Sequence, residues 1–253
     1  MSEEEPIALV TGAGRGIGRS VARCLSERGH KVALASRSRD ELDHVASWLP
    51  GPSLVVPTDV TDPAAVEAMF ASVEDQWGPV DVLVVNAGAG ATAAVQDTTD
   101  EDWQRMLDLN LTAPFRCLRR ALPSMLEQEF GRVVVVASVV AKRGEPMISA
   151  YAASKHGVLG LVRSASREVA SRGVTVNAVC PGYVNTPMTD ATVASISERT
   201  GKSLDEARSL LAHRQPNHRL VDSHEVAQAV MLCVENGAVN GQGINVDGGA
   251  QQS

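Results

Sequence analysis

An α/β fold, in which one parallel β-sheet lies between two layers of helices, is predicted by two features of the sequence. Short apolar runs alternate with longer segments of mixed polarity along the 253-residue chain. The runs are apolar at consecutive positions, as in residues 82–85, which is typical of strands covered on both faces. We therefore expect a single doubly wound domain over residues 1–253, with a seven-stranded parallel sheet and helices on both faces.

The alternation also predicts the order of the elements. Strands are expected at 7–10, 31–36, 54–57, 82–85, 133–137, 174–179 and 244–246. Helices are expected from the first glycine turn to residue 29, and at 40–49, 63–77, 100–129, 149–172 and 223–235. Asp62 and Pro63 are typical of an N-cap and a first helical position. Pro114 and Pro123 predict jogs within the long helix.

Composition and charge argue against several classes of function. The formal net charge is −7, which disfavours nucleic acid or an anionic membrane as a partner, because both attract basic patches. No stretch approaches the roughly 20 apolar residues of a membrane span, and the acidic N-terminus contains no apolar signal region. The cysteines form no Cys-x-x-Cys pair that would indicate a metal site. We expect a cytoplasmic protein with reduced, buried thiols.

The turn after the first strand is rich in glycine and precedes a helix. Gly12, Gly16 and Gly18 occupy this turn, and Ile17 stands where a Gly-x-Gly-x-x-Gly pattern would have its last glycine. Glycines at such a junction allow backbone amides to approach a pyrophosphate at the positive end of the helix. The lysine of a nucleotide-hydrolysing loop is missing. The turn therefore predicts a dinucleotide site.

The end of the second strand indicates which dinucleotide is bound. An NAD site usually has an acid there, which binds the ribose hydroxyls, whereas this strand ends in Ser36-Arg37. An arginine suits a 2′-phosphate, and Arg15 in the glycine turn adds a second positive charge. We therefore favour NADP(H), with NAD(H) as the alternative if Arg37 is only a solvated loop residue.

Tyr151 and Lys155 lie four residues apart in a predicted helix, so their side chains share one face. A free phenol has a pKa of about 10, and an adjacent ammonium lowers that pKa. Such a pair makes a proton-transfer group near neutral pH, although chance also places Tyr and Lys at this spacing. Ser138, thirteen residues before Tyr151, follows the fifth strand. Asn110, in the long helical region, is placed where it could hold a water.

Further residues complete an ordered set along the chain: the glycine turn, Asn86-Ala87-Gly88, Asn110, Ser138, Tyr151, Lys155, Asn177 and Pro181-Gly182. Together they resemble the short-chain dehydrogenase/reductase family, over nearly the whole chain. The resemblance implies a Rossmann-type fold and an oxidoreductase that interconverts a ketone and a secondary alcohol with a nicotinamide cofactor. It also implies a homo-oligomer, usually a tetramer.

The resemblance assigns roles to four residues. Tyr151 would be the acid/base, and Lys155 would lower its pKa and bind the nicotinamide ribose. Ser138 would orient the substrate oxygen, and Asn110 would anchor a water that relays protons. These hydroxyl donors and the nearby cation would face the developing alkoxide.

The resemblance also implies which residues contact the cofactor, in addition to Tyr151 and Lys155. They are Gly12, Arg15, Gly16, Ile17, Gly18, Ser36 and Arg37 for the adenosine phosphates, Asp59 and Val60 for the adenine, Asn86, Ala87 and Gly88 for the ribose, and Pro181, Gly182, Val184 and Thr186 for the nicotinamide side. One residue departs from the family pattern: Val85 precedes Asn86 where a second asparagine is usual. We expect a lost hydrogen bond there and an intact fold.

Residues 187–217 correspond to the family's variable substrate-covering region and are predicted to form a lid of amphipathic helices. The segments around Tyr151 and Pro181 look most like 3-oxoacyl thioester reductases and polyketide-type ketoreductases. An acidic acyl-carrier protein would need a basic docking patch, but residues 127–130 are acidic, with Arg132 and Arg172 as possible contacts. We therefore favour an acyl-CoA or another small ketone.

Several alternatives remain open from the sequence. Four cations of the lid region either meet CoA phosphates or form a solvated helix face: Arg199, Lys202, Arg208 and Arg214. The enzyme is either the NADP(H)-dependent reductase or an NAD(H)-dependent alcohol or hydroxyacyl-CoA dehydrogenase. A non-catalytic NADP(H)-binding protein on the same fold is a further class, but a pure binder has no need of Tyr151.

Overall fold

The computed structural model describes residues 5–252, and it contains one seven-stranded parallel sheet in the order β3-β2-β1-β4-β5-β6-β7. The strands are β1 (Ile7–Thr11), β2 (Lys31–Ser36), β3 (Ser53–Pro57), β4 (Val82–Val85), β5 (Gly131–Val136), β6 (Val174–Pro181) and β7 (Gly243–Val246). The predicted sheet is therefore confirmed, and each boundary lies within two residues of the prediction. The acidic stretch at 1–4 lies outside the described residues.

Helices connect each strand to the next, and three of them lie between β6 and β7. They are α1 (Gly16–Glu27), α2 (Arg39–Ala46), α3 (Pro63–Trp77), α4 (Asp100–Leu107), α5 (Ala113–Glu127), α6 (Ser149–Val169), α7 (Pro187–Thr200), α8 (Leu204–His213) and α9 (Ser223–Glu235). The predicted cap of α3 is confirmed, because Asp62 accepts a hydrogen bond from the Ala64 amide and Pro63 follows it. No helix within 5–252 is long and apolar enough to cross a membrane.

The strands are covered on both faces, as their uninterrupted apolar character predicts. Leu83 and Val85 of β4 pack into one hydrophobic cluster, with α3, α5 and α6. Val82 and Val84 pack into a second cluster on the opposite face, with α1, α2 and α9. Val85 is almost completely buried, so the valine that departs from the family pattern is accommodated without disturbing the strand.

The long helix predicted over 100–129 is interrupted next to Pro114, one of the two positions where a jog was expected. Residues Asp108–Thr112 form a π-helical turn between α4 and α5, in which the Ala113 amide donates to the Asp108 carbonyl. Pro114 has no N–H, so it cannot donate to the Asn110 carbonyl as a regular helix requires. The wider turn therefore lies just before Pro114, whereas Pro123 is contained within α5.

Two other predicted helices end earlier than expected. The helix α2 ends at Ala46 rather than at residue 49. The helix α6 ends at Val169, and residues Ala170–Arg172 form a tighter 3₁₀ turn that leads into Gly173, whose φ is 71°. Such a narrowing is common at the C-terminus of a helix. The predicted helical region at 187–217 contains α7 and α8 and ends at His213.

The strand order reverses between β1 and β4, which lie side by side at the centre of the sheet. In doubly wound sheets ligands bind beyond the carboxyl ends of the strands at such a switch point. Thr11 ends β1, and Asn86 directly follows β4. The glycine turn and the predicted cofactor segment Asn86-Ala87-Gly88 are thus brought together at this place.

Candidate active site

The turns that follow β1 and β4 are joined by hydrogen bonds. The Thr11 hydroxyl accepts from the backbone amides of Asn86 (3.0 Å) and Ala87 (3.1 Å). The Asn86 side-chain amide donates to the carbonyls of Thr11 (3.0 Å) and Gly12 (3.1 Å). Thr11 is completely buried. These bonds fix the glycine turn against β4, a role that sequence reasoning did not give to Thr11.

Gly18 is required by close packing within the turn. A Cβ atom at this position would lie 2.1 Å from the Gly12 carbonyl oxygen and 2.5 Å from the Asn86 side-chain nitrogen. No side chain fits there without moving the backbone. The glycine turn is therefore built so that the start of α1 lies directly against the residue that follows β1.

The predicted phosphate-binding arginines lie beside acidic residues. Arg15 is 3.7 Å from the Glu41 carboxylate, and both side chains are exposed. Hydrogen bonds from Thr61 lower the pKa of Asp59, and the Arg37 guanidinium lowers it further. The end of β2 is therefore a mixed site, with two exposed cations and a carboxylate from α2, rather than a purely basic one.

Ser138, Tyr151 and Lys155 are brought together at the carboxyl ends of β5 and β6. Ser138 follows β5, where its hydroxyl accepts from the Val140 amide at 3.3 Å, and it lies close enough to Tyr151 to lower the pKa of the phenol. Tyr151 and Lys155 lie one turn apart on α6, with the ammonium 5.7 Å from the centre of the phenol ring. The Lys155 ammonium donates to the Val136 carbonyl at 3.0 Å.

Burial controls the protonation of these groups. It raises the pKa of Tyr151, and Ser138 opposes part of that rise. Burial lowers the pKa of Lys155 to about 8. The lowered Tyr151 pKa that the Tyr-Lys spacing predicts is therefore not found, because loss of solvent outweighs other effects on the phenol. Tyr151 is held in its protonated form, which can donate a proton.

The Asn110 side chain is used within the protein. It is completely buried, it accepts from the Ala89 amide at 3.2 Å, and it donates to the Ala89 carbonyl at 2.9 Å. The Asn110 side chain was predicted to bind a water, but its oxygen and nitrogen are already hydrogen-bonded to Ala89. Because residue 114 is a proline, the backbone carbonyl of Asn110 lacks the i+4 amide donor of a regular helix.

One cleft contains many of the predicted residues. Those lining it are Ile17, Asn86, Gly88, Asn110, Ser138, Tyr151, Lys155, Pro181, Gly182, Val184 and Thr186. The other predicted residues, in the glycine turn, at the ends of β2 and β3, and at Ala87 after β4, lie outside this cleft. Its lining also includes residues that sequence reasoning missed: Ala89, Val136, Ala137, Met188 and Thr189.

Two of the missed residues act through backbone atoms, so their side chains carry no signal. Val136 supplies the carbonyl that binds Lys155, and Ala89 supplies both groups that bind Asn110. Met188 and Thr189 belong to the start of α7. Their position in the predicted substrate-covering region was the signal that could have placed them at the cleft. Asn177, part of the family pattern, is completely buried and bonds to Val239 and Gln242, so it holds the approach to β7.

Comparison with known proteins agrees with this geometry. Residues 6–196 match the sequence profile of the family described as short chain dehydrogenase. The chain belongs to the short-chain dehydrogenase family. The family resemblance predicted from the ordered residues is therefore confirmed, and the protein is an oxidoreductase of this class.

Individual short-chain dehydrogenases match over almost their whole length. The 3-oxoacyl-[acyl-carrier-protein] reductase of Vibrio cholerae is 37% identical over 251 residues, with 98% of each chain covered. A putative ketoacyl reductase of Streptomyces coelicolor is 38% identical over 255 residues, again with 98% of each covered. A crystal structure of an actinorhodin polyketide ketoreductase variant with NADPH has a TM-score of 0.93 and 37% identity, and 98% of each chain is covered.

Replacement of Thr11 tests the link between β1 and β4. Thr11→Val keeps the shape but leaves the Asn86 and Ala87 amides without their acceptor, and each such donor costs about 1–3 kcal/mol. We expect the free energy of unfolding in urea to fall by about 2 kcal/mol or more. Thr11→Ser retains the acceptor and should lose clearly less. Equal losses in the two variants would show that the hydroxyl does not hold the turn.

Proposed function

We propose that this chain is an NADP(H)-dependent ketoreductase that reduces a 3-oxoacyl thioester or a similar small carbonyl compound to the secondary alcohol. The observation that carries the proposal is the group of Ser138, Tyr151 and Lys155 at the sheet edge, in which the two hydroxyl side chains are partly buried and Lys155 is buried. The two hydroxyls can meet one carbonyl oxygen, and Tyr151 is protonated there. A non-catalytic binding protein has no use for this arrangement.

The residues present fit a dinucleotide. The turn at Gly12 and Gly18 leaves no room for a Cβ atom, and it places the N-terminus of α1 at the switch point of the sheet, where a pyrophosphate binds. Arg37 and Arg15 would meet a 2′-phosphate, and Pro181, Gly182, Val184 and Thr186 would form the nicotinamide side. When bound, the nicotinamide supplies the hydride for the reduction.

The protein's own contribution is to hold and protonate the carbonyl oxygen. Ser138 and Tyr151 would donate hydrogen bonds to it, which stabilises negative charge developing on the oxygen. Tyr151 then gives up its proton to that oxygen. The charged Lys155, near the phenol ring and fixed by Val136, stabilises the phenolate that remains. The backbone carbonyl of Asn110 is positioned to bind a water that returns the proton.

The substrate is proposed to be a small thioester or ketone rather than a carrier-bound one. The 3-oxoacyl reductases among the relatives support the chemical class. The possible contacts for an acidic carrier protein are occupied, however, because Arg172 lies 3.8 Å from Glu129. Arg132 donates to the carbonyls of Gly131 and Gly173 and stacks on Phe130. A basic docking patch is thus neutralised from within the chain.

An NAD(H)-dependent dehydrogenase is the second candidate, and Glu41 favours it. This carboxylate lies beside Arg15 and against Gly14, at the place where an acid could bind ribose hydroxyls. Arg37 favours NADP(H) at the same place. The two residues therefore make opposite predictions about cofactor choice.

A substrate comparison tests the proposed reaction. NADPH oxidation should be measured with one 3-oxoacyl group carried as an N-acetylcysteamine thioester, as a CoA ester and on acyl-carrier protein, together with small ketones. We expect kcat/KM for the carrier-bound form to be no higher than for the free thioesters. Tyr151→Phe should retain cofactor binding and lose most turnover. Undiminished turnover in that variant, or a strong preference for the carrier, would contradict the proposal.

Replacement of Arg37 and Glu41 tests the cofactor. Arg37→Ala removes a charged contact with a 2′-phosphate, and such bonds contribute about 1.5–3 kcal/mol. We expect kcat/KM with NADPH to fall about tenfold or more, with little change for NADH. Glu41→Gln, which frees Arg15, should improve NADPH use. If the ratio of kcat/KM with NADPH to kcat/KM with NADH is unaltered in both variants, Arg37 and Glu41 do not contact the cofactor.

The pKa of Lys155 predicts the pH dependence of reduction. Because this pKa is about 8, the ammonium that stabilises the phenolate is present below that pH and is lost above it, while Tyr151 stays protonated. We expect kcat/KM for the ketone to be constant at neutral pH and to fall above about pH 8. Lys155→Arg, which stays charged, should move the fall to higher pH.

The lowered pKa of Lys155 also predicts how the stability of the protein depends on pH, and this can be measured without an activity assay. The pKa of Lys155 is lower in the folded protein than its ordinary value of 10.5, so the unfolded chain binds more protons between these values. The free energy of unfolding should therefore rise with pH from about 8 to 10.5, relative to Lys155→Met. If the free energy of unfolding depends on pH in the same way in the unaltered protein and in Lys155→Met, the pKa of Lys155 is not lowered in the folded protein.

A further inference from the structure

Arg214, at the C-terminal end of α8, joins three separate parts of the fold. Its guanidinium Nη1 donates to a carboxylate oxygen of Glu145 at 2.9 Å and to the phenol oxygen of Tyr183 at 3.1 Å. Glu145 belongs to the segment between Ser138 and Tyr151. Tyr183 follows Gly182 in the turn after β6. None of these three side chains lines the cleft.

The two ends of this contact belong to the segment that follows β5 and to the end of α8. The segment that carries Glu145 is fixed at its other positions to the body of the protein. Lys142 donates to the Gly243 carbonyl at 2.6 Å, and Arg143 donates to the Ala250 carbonyl at 3.2 Å. The Arg214–Glu145 pair is therefore a bond from the α7–α8 region to a well-anchored part of the fold.

The residue after Arg214 provides the other attachment of α8. Gln215 is completely buried, and its side-chain oxygen accepts from the Tyr183 amide at 3.0 Å. Its side-chain nitrogen donates to the Tyr183 carbonyl at 3.3 Å and to the Arg219 carbonyl. Buried, fully bonded amides are costly to separate. This attachment is thus the permanent one.

The Arg214–Glu145 pair has the opposite character. The Arg214 side chain is 55% exposed and that of Glu145 is 25% exposed. An ion pair with this exposure changes an equilibrium by about two- to fivefold, so it can break and re-form during a reaction cycle. Arg208 of α8 is also bonded to Asp190 of α7 and to Asn185. The apolar contacts of α8 with α7 lie in a small cluster of Val193, Ala207 and Leu211.

We propose that Glu145 and Arg214 are positioning residues, which form a latch that holds α7 and α8 over the cleft. The proposal rests on the ketoreductase function given above, since it is the bound ketone that the closed latch retains. With the latch open, the α7–α8 pair swings away about Gln215 and Tyr183, and Met188 and Thr189 leave the cleft with it. The closed pair slows escape of the ketone before it reacts.

The test is a double-mutant cycle with Glu145→Gln and Arg214→Gln, measured by KM and kcat for a reducible ketone. Each single variant is expected to raise KM about two- to fivefold while kcat changes less than KM. The double variant should be no worse than the single variants. The charge-exchanged protein, Glu145→Arg with Arg214→Glu, should recover at least half of the lost kcat/KM. Additive losses, or no recovery on exchange, would overturn the latch.

A matched control is available in the same two helices. Arg208 of α8 forms an ion pair with Asp190 of α7, and this pair does not reach the segment between Ser138 and Tyr151. Asp190→Asn should leave the coupling between Glu145 and Arg214 unchanged. If Asp190→Asn abolishes that coupling, the effect is a general loosening of α7 and α8, and the latch is rejected.

A second readout separates failure of the latch from failure of the proposed reaction. Amide hydrogen exchange over residues 187–213 should be about two- to fivefold faster in Glu145→Gln than in the unaltered protein. In Asp190→Asn, exchange at residues distant from position 190 should be no faster than in the unaltered protein. If no ketone is reduced but exchange responds in this way, the proposed function fails and the latch stands. If ketone is reduced but exchange is unchanged, the latch fails alone.

Discussion

The hydrogen bond from the Lys155 ammonium to the Val136 carbonyl is the contact on which the proposed catalytic group depends. The ammonium is only 5% exposed, and a buried charge is tolerated only where oxygen acceptors surround it. The carbonyl therefore fixes the position of the Lys155 ammonium relative to the end of β5. Tyr151, one turn earlier on α6, is fixed by the same bond relative to Ser138, which directly follows β5.

The cofactor side is organised by the same means, which is a polar side chain bound to backbone atoms of another strand end. Thr11 and Asn86 join the ends of β1 and β4 through four hydrogen bonds. Asn110 joins the π-helical turn to Ala89, next to Gly88. In each case a buried side chain would be costly if it lost its partners, so the strand ends are held in one relative position. The site is rigid because its polar groups are satisfied inside the fold.

This organisation explains what could be predicted from the sequence. The seven strands and their order along the chain follow from apolar periodicity, and the Tyr151–Lys155 pair and the glycine turn are local patterns. The position of the π-helical turn, by contrast, depends on the missing donor of Pro114 acting together with the packing of Asn110. The acceptor for Lys155 is a backbone carbonyl, which any residue at position 136 would supply. The Arg214–Glu145 pair joins residues 69 apart, and no short-range pattern indicates it.

Charge pairing also changes how the surface near the cleft is interpreted. Of the four lid cations that could meet CoA phosphates, Arg208 is paired with Asp190 and Arg214 with Glu145. Arg199 donates to the Ser195 carbonyl, and it lies with Lys202 at the turn between α7 and α8. Only this turn therefore offers cations to a phosphate without breaking an ion pair. A CoA ester and a free ketone would differ at that turn alone, while the reacting carbonyl of either would meet Ser138 and Tyr151. Discrimination between them is thus expected to arise at the tip of the α7–α8 pair, and the chemistry at Tyr151 is common to both.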